Sequence, residues 1–203
     1  MNEQLERGSG KNRRTLKKIP YYPTPQELYK QIVTSKGWPY KIDIEEYLLR
    51  DRCLIALTYL IGTRISETLK LMQEQFIDHE DYIEVRAIEL SKSSKQGKQR
   101  NDVYRSGQLP KTGERSPLTD LVVSYIKTLD STSKLFPFKP SRAWQILKAF
   151  LPESTLHWLR AYCEDYLYSE WDHDILAVSD YVKVDARTLQ LYIRRRYTRY
   201  KVV

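Results

Sequence analysis

The chain has 203 residues, 41% of them hydrophobic and 30% charged, which is typical of one globular domain with tails. It contains no apolar stretch as long as a membrane span, and its polar first residues are unlike a signal peptide, so we expect a protein that is neither secreted nor anchored. A formal net charge of +8 favours a polyanionic partner, with nucleic acid ahead of a membrane surface.

The charge is unevenly distributed along the chain. Residues 1–22 form a basic segment that we predict to be a flexible arm, with a solvated terminus as the alternative, and a folded domain is predicted over residues 23–193. A second basic cluster covers 91–115, and residues 194–203 form a basic C-terminal tail, whereas 164–174 are acidic. A basic surface interrupted by an acidic one predicts a defined side that faces DNA in an intracellular, cytoplasmic protein.

The first elements in chain order are helices. Thr24 before Pro25, with Glu27 following, is typical of a capping box and predicts a helix start. The segment "IEEYLLRDRCLIALTYLIG" has apolar residues at helical spacing and predicts a core helix ended by Gly62. A second, shorter helix is predicted over "RISETLKLM", with Ile65, Leu69 and Met72 on one face, which places Arg64 at the bend between the two helices.

Strands follow, and then further helices. "YIEVRAIEL" alternates and is rich in β-formers, and "NDVYRSG" is its candidate partner in a hairpin with a basic turn. "SPLTDLVVSYIKTL", capped by Ser116, is predicted to be a helix, as are "SRAWQILKAFL", "STLHWLRAYCEDYL" and "DARTLQLYIRRR". Cys53 and Cys163 fall in apolar helical patterns and are predicted to be reduced core residues. The predicted fold class is mainly α with a small antiparallel β-sheet.

Three segments together resemble the catalytic domain of the tyrosine recombinases, or phage integrase family, over roughly residues 23–195. "RDRCLIALTYLIGTRISETLKL" is similar to the family's first arginine box and makes Arg64 the matching arginine. "LHWLR" is similar to its His-x-x-Arg box, which gives His157 and Arg160. "TLQLY" is similar to the segment around its nucleophile and gives Tyr192, 32 residues after Arg160, whereas Tyr197 and Tyr200 do not fit.

Two further residues come from the resemblance. The family carries a lysine on a β-hairpin between the first two boxes, and Lys92 is the best match, with Lys95 and Lys98 as rivals. Nine residues before its nucleophile the family usually has histidine or tryptophan, whereas this chain has Lys183. A lysine there is expected to donate to a phosphate oxygen as a point charge, or else to be a solvent-exposed side chain.

The resemblance implies a DNA breaking-rejoining enzyme, a site-specific recombinase or integrase that forms a 3′-phosphotyrosyl intermediate. Tyr192 would be the nucleophile and Lys92 the general acid for the departing 5′-oxygen, with Arg64 and Arg160 holding the non-bridging oxygens. His157 would accept or relay the tyrosine proton, or else hold a non-bridging oxygen. The expected additional DNA contacts are Lys95, Lys98, Arg100, Arg194, Arg195 and Arg196. No cofactor is expected, and no metal, because the histidines and cysteines show no ligand spacing.

The implied partner is double-stranded DNA, with a tetramer on paired DNA sites and a monomer in its absence, in a mobile genetic element such as a virus or plasmid. About 22 residues precede the first helix, which is too short for the family's N-terminal core-binding domain and predicts a minimal recombinase or a catalytic fragment. Two alternatives remain, a non-catalytic DNA-binding protein on a recombinase fold and a type IB topoisomerase-like enzyme. Taken alone, Arg64 also fits a structural ion pair with Glu67, and each basic turn fits a solvated surface.

Overall fold

The structure is a computed structural model that describes residues 22–40, 45–90 and 104–197, without the side chains at 191, 192 and 194–197. Within these ranges a mainly helical domain with a small antiparallel sheet is confirmed. The helices are α1 Pro25–Thr34, α2 Glu45–Ile61, α3 Ile65–Thr68, α4 Ser116–Ile126, α5 Pro140–Phe150, α6 Leu156–Glu170, α7 Ile175–Val182 and α8 Ala186–Tyr197. The strands are β1 Phe76–Asp78, β2 Tyr82–Glu89 and β3 Tyr104–Pro110.

Helix α2 is the centre of the core. Every residue from Cys53 to Ile61 is buried, including Thr58, whose hydroxyl donates to the Leu54 carbonyl at 2.7 Å. A helix that is apolar on all sides must be covered on all sides, and α4, α6 and β3 pack around it. It ends where predicted, because Gly62 takes a φ of +58°, a conformation that costs glycine little.

The predicted start of α1 is confirmed in its details. The Thr24 hydroxyl accepts from the Glu27 backbone N–H at 3.2 Å, and the Glu27 carboxylate accepts from the Thr24 N–H at 2.8 Å. Leu28 and Ile32, one turn apart, then face the core.

The predicted hairpin strands pair as β2 and β3, and β1 adds a third antiparallel strand in the order β1-β2-β3, which the sequence analysis did not predict. Strand β3 continues past the predicted segment as far as Pro110. The register shifts between Val85 and Ile88, where Ala87 has a φ of +51°, so β2 bulges beside its buried end. Strand β3 lies directly on α2, because a Cβ at Gly107 would come within 2.8 Å of Ile61 Cγ2.

Two sequence-based expectations about elements were wrong, and one helix was missed. The helix expected over "RISETLKLM" stops at Thr68, because the chain turns there toward the sheet. Met72 forms a β-bridge with Lys134 instead of a further helical turn. Ser116 is the first residue of α4 and not its cap, since its hydroxyl donates to the Gly113 carbonyl at 2.9 Å. Helix α7 was not predicted at all.

Several other features bear on the predictions. Cys53 and Cys163 are buried free thiols, as predicted. Helix α8 continues to Tyr197, so residues 194–197 of the predicted tail belong to a helix. Among the described residues no helix combines the length and the apolar character needed to cross a bilayer.

Candidate functional site

The turn between α2 and α3 presents Arg64. Gly62 makes the bend close against α6, because a Cβ there would lie 3.1 Å from Cys163 Sγ. Thr63 and Thr68 join their hydroxyls at 2.7 Å, which ties the two sides of the turn together. Arg64 follows in extended backbone as the residue that precedes α3, and its side chain keeps 32% of its surface exposed.

Glu67 lies between the two arginines of the candidate site. Its buried carboxylate accepts from Arg64 Nη1 and from the Arg64 backbone N–H, each at 2.8 Å. Arg160 Nη1 lies 4.0 Å from Oε2 of the same carboxylate. The ion pair that sequence alone offered as a structural alternative for Arg64 therefore exists, and it also orients Arg64 toward Arg160.

Arg160 is held by two further partners. Its Nε donates to the Glu164 carboxylate, one turn along α6, at 2.7 Å, and its Nη2 donates to the Val182 carbonyl at the end of α7 at 2.9 Å. The side chain is only 4% exposed. Burial raises the pKa of Glu164, and the charge of Arg160 opposes that rise. A guanidinium with two hydrogen bonds and a carboxylate at ion-pair distance from its third nitrogen is fixed in orientation, as bidentate recognition of a phosphate needs.

His157 lies one turn before Arg160 on α6, and its electrostatic surroundings connect it to both arginines. Partial desolvation lowers its pKa below the ordinary value of 6.5, and the positive charges of Arg160 and then Arg64 lower it further. The imidazole is therefore neutral at pH 7 and able to accept a proton. The three residues of the first two motifs, Arg64, His157 and Arg160, are thus brought together.

Lys183 follows the last residue of α7 in a left-handed conformation with a φ of +53°. Its ammonium forms an ion pair with Asp180 at 2.7 Å, and 26% of the side chain is exposed. The neighbouring carbonyl, that of Val182, is the one that binds Arg160. Lys183 is therefore attached to the arginine site through the backbone of α7.

Tyr192 lies on α8, which packs against α6 and α7. Its neighbours Leu189 and Ile193 are buried and anchor the helix. The side chain of Tyr192 is outside the described part, as are those of Arg194, Arg195 and Arg196. The remaining predicted residues, Lys92, Lys95, Lys98 and Arg100, with Tyr200, also lie outside the described residues.

Several other tyrosines are poor candidates for a nucleophile. Burial raises the pKa of Tyr59, Tyr125 and Tyr162, and it raises that of Tyr166 to about 12. A higher pKa means less phenolate at neutral pH, which disfavours these side chains as nucleophiles.

The sequence analysis did not identify two buried arginines next to the site. Arg105, on β3, donates to the carbonyls of Ile61 and Tyr181, and Arg115 donates to the carbonyl of Leu60. In "YRSGQLP" every second residue, Arg105, Gly107 and Leu109, is buried. The alternation of a strand therefore predicts an inward Arg105, but a charged residue is not expected inside and was not considered. Glu164 had the signal of an i,i+4 pair with Arg160.

The site is rich in fixed cations. In the part of the chain that the structure describes, no three His, Cys, Asp or Glu side chains are grouped so as to hold a metal ion. Two guanidinium groups, a neutral imidazole and an ammonium are the chemistry of a site for a phosphate or another tetrahedral anion.

Comparison with known proteins agrees with this geometry at the level of fold. Neither a family model nor a curated protein matches the chain. Solved structures do match, and two of them are of the same recombinase. One is XerH site-specific recombinase bound to palindromic difH substrate in a post-cleavage complex, with a TM-score of 0.67 and 18% identity over 98% of this chain and 57% of that one. The other is XerH bound to difH substrate in a pre-cleavage complex, with a TM-score of 0.61 and 18% identity over 91% of this chain and 53% of that one.

The chain thus spans little more than half the length of these recombinases. The fold that the sequence motifs implied is confirmed: this chain has the fold of a tyrosine recombinase catalytic domain.

Proposed function

We propose that the chain is the catalytic unit of a site-specific DNA recombinase or integrase that cleaves and rejoins DNA through a 3′-phosphotyrosyl intermediate. The observation that carries the proposal is the grouping of Arg64 and Arg160 on one carboxylate, Glu67, with His157 one turn from Arg160 on α6. Arg64 and Arg160 are 96 residues apart in sequence (160 − 64), and the order of motifs that singled them out is independent of the contacts that join them.

The two arginines suit the charge that develops in the reaction. When a phenol attacks a phosphodiester, negative charge accumulates on the non-bridging oxygens, and planar guanidinium forks can bind it. Glu67 and Glu164 hold the forks in place before DNA binds, so little reorganisation is needed in the transition state.

Tyr192 is the proposed nucleophile and His157 its proton acceptor. A phenol with a pKa of about 10 is ionised in only about one molecule in a thousand at pH 7, so attack requires a base or a strongly cationic pocket. The lowered pKa of His157 keeps its imidazole neutral and able to accept that proton. Helix α8, which contains Tyr192, packs against α6, which contains His157.

The departing 5′-oxygen needs a proton, which we assign to Lys92, with Lys95 and Lys98 as the other candidates. Lys183 completes the proposed set as a donor to a phosphate oxygen. The phosphotyrosyl bond conserves the energy of the phosphodiester, so religation needs no nucleotide cofactor.

DNA is the proposed partner, and a tetramer on paired sites the proposed assembly. The net charge of +8 and the DNA-bound state of the two similar recombinases support this assignment. Lys95, Lys98, Arg100 and the arginines at 194–196 are proposed to contact DNA phosphates, so binding should weaken steeply with salt.

Trapping on a nicked suicide substrate tests the proposal. The wild-type protein should form a covalent adduct that migrates slowly in a denaturing gel. Tyr192→Phe should form none and keep its DNA affinity, because the phenol oxygen contributes little to binding of the ground state.

Tyr197→Phe and Tyr200→Phe are the matched controls and should form the adduct. An adduct with Tyr192→Phe would disprove the assignment of the nucleophile. If no variant and no wild-type sample gave an adduct while duplex DNA still bound, a non-catalytic DNA-binding protein would replace the enzyme.

A further inference from the structure

Arg105 bonds two helices at once from within the sheet. One end of its guanidinium, Nη2, donates to the Ile61 carbonyl, the last residue of α2, and Nη1 donates to the Tyr181 carbonyl near the end of α7 at 3.2 Å. The side chain also lies over the Tyr181 ring, with Cζ 5.6 Å from the ring centroid. Arg105 therefore joins β3, α2 and α7.

The two ends that Arg105 joins both lead into the candidate site. Arg64 follows Ile61 by three residues, through the turn at Gly62. On α7 the next carbonyl after that of Tyr181 belongs to Val182, which accepts from Arg160 at 2.9 Å. Two arginines thus bind successive carbonyls of α7, one from the sheet and one from α6.

Burial makes this contact selective for arginine. Arg105 is 6% exposed, and its Nε has no hydrogen-bond partner among the described residues. The two hydrogen bonds of the guanidinium therefore offset the cost of burying an unsatisfied donor. The two bonds leave from different nitrogens of one planar fork, whereas an ammonium has all its donors on a single atom and is a compact point charge. The absence of a side chain at Gly107 lets β3 approach Ile61 closely enough for these bonds.

We propose that Arg105 is a positioning residue, which sets the distance between Arg64 and Arg160 by holding the ends of α2 and α7 together. The catalytic consequence rests on the proposed recombinase function, but the structural one does not. The proposed role requires no contact between Arg105 and DNA.

Arg115 provides a matched control. It is also buried, donates to the neighbouring Leu60 carbonyl and has an aromatic ring, that of Tyr166 on α6, 5.5 Å from its Cζ. Because it bonds one carbonyl, lysine can replace it, whereas lysine cannot replace the two-way contact of Arg105. Arg105→Lys and Arg115→Lys both keep the charge, so a difference between them reports geometry.

The first measurement is the rate of adduct formation at saturating DNA. Arg105→Lys should lower the rate constant by roughly 10- to 100-fold with little change in the dissociation constant for DNA, because small displacements of catalytic groups are costly. Arg115→Lys should remain within about threefold of wild type in this measurement, at a similar loss of thermal stability.

The second measurement is the titration of His157 by NMR in the protein without DNA. If Arg64 and Arg160 separate, the pKa of His157 should rise toward 6.5 in Arg105→Lys and stay unchanged in Arg115→Lys, with His79 and His173 as internal references. This readout does not depend on catalysis. A shifted His157 titration in a protein that forms no adduct would support the positioning role while refuting the recombinase.

An unchanged His157 titration in Arg105→Lys would overturn the proposal, and so would a wild-type cleavage rate in that variant. If Arg105→Lys does not fold, Tyr181→Leu tests the same contact by removing the ring under the guanidinium. It should move both measurements in the same direction by a smaller amount, and Tyr181→Phe, which keeps the ring, should not. Equal behaviour of the Leu and Phe variants would also overturn the proposal.

Discussion

Two clusters of arginines pack at different points along α2, one around Arg50 and one around its last residue, Ile61. The 11 residues between these points (61 − 50) span about 16 Å of helix at 1.5 Å per residue. The α2-start cluster consists of Arg50 and Arg142 with Asp51 and the rings of Trp38, Tyr40, Tyr47 and Phe138. The α2-end cluster consists of Arg64, Arg105, Arg115 and Arg160 with Glu67 and Glu164. The two clusters use arginine for different purposes.

In the α2-start cluster the charge is met within the cluster. Arg50 donates to the buried Asp51 carboxylate from Nη2 at 2.9 Å, and the Tyr40 hydroxyl donates to the same carboxylate at 2.6 Å. The guanidinium of Arg50 lies over Tyr47 and Phe138, 4.9 and 5.0 Å from their centroids, and that of Arg142 lies 4.4 Å from the centroid of Trp38. Ring faces and a carboxylate together make a closed structural contact.

In the α2-end cluster much of the charge is met by dipoles. Arg105 and Arg115 bond neutral carbonyls at the end of α2, where the helix dipole favours cations, and only Arg64 and Arg160 pair with carboxylates. Four guanidinium groups face two carboxylates here, an excess of two positive charges (4 − 2), whereas the α2-start cluster has an excess of one (2 − 1) that ring faces cover. The difference teaches that the partners of an arginine, and not its burial, decide whether it remains able to attract an anion.

The strongest test of this comparison removes one arginine from each cluster. Arg64→Ala should lower the rate constant of DNA cleavage by roughly 100- to 1,000-fold, because a donor to the developing oxyanion is lost. Arg142→Ala should leave that rate constant nearly unchanged. Single-turnover cleavage of the nicked substrate measures both, and an equal loss in the two variants would end the functional distinction between the clusters.

The reverse asymmetry is expected for stability. Arg50→Met leaves the Asp51 carboxylate buried without its cation and should lower the free energy of unfolding by about 3 kcal/mol. Urea unfolding measures this loss, and the cleavage rate per folded molecule should stay unchanged. Adding Asp51→Asn should recover part of the loss, since the buried charge is then removed; no recovery would show that Arg50 acts through the rings alone.

The close turn at the α2-end cluster can be tested through glycine. Gly62→Ala must adopt a positive φ and place a Cβ 3.1 Å from Cys163 Sγ, so we expect a loss of about 1 to 2 kcal/mol. Gly113→Ala has a φ of +74° and nothing within 4 Å, and thus carries the conformational cost alone. The difference between the two in thermal unfolding measures the crowding between the turn and α6; equal losses would mean that Cys163 yields freely.

The smallest expected effect is a pH dependence of stability. The pKa of His157 is lower in the folded protein than its ordinary 6.5, so the unfolded chain binds a proton more readily. The free energy of unfolding is then largest above pH 6.5 and decreases as pH falls from 6.5 through the folded pKa. Urea unfolding at pH 7.5 and 5.5 should show a larger decrease for wild type than for His157→Gln, and identical decreases would show that neither burial nor the two arginines lowers the pKa of His157.

Sequence reasoning recovered much of the fold because its signals were local. The capping residues Thr24 and Glu27, the apolar run of α2 and the glycine that ends it all act within a few residues of each other. The same reasoning missed α7, a short helix flanked by acidic residues, and it extended α3 as far as Met72, where packing against the segment at Lys134 prevails over helical spacing.

The site divides in the same way. Order and spacing of motifs identified Arg64, His157 and Arg160, which the structure brings together, while the roles of Lys92, Lys183 and Tyr192 stay predictions. The segment "YRSGQLP" does not reveal the role of Arg105, because its two partners are carbonyls 44 and 76 residues away along the chain.

The sequence by itself therefore determined the elements and the candidate residues, since caps, periodicity and motif spacing are properties of short segments. Only the tertiary structure decided which arginines share Glu67, which carbonyls Arg105 and Arg160 bind, and which arginines face rings instead. The physical reason is that a buried guanidinium must find partners wherever packing provides them, and those partners are backbone groups that every residue possesses and no residue type reveals.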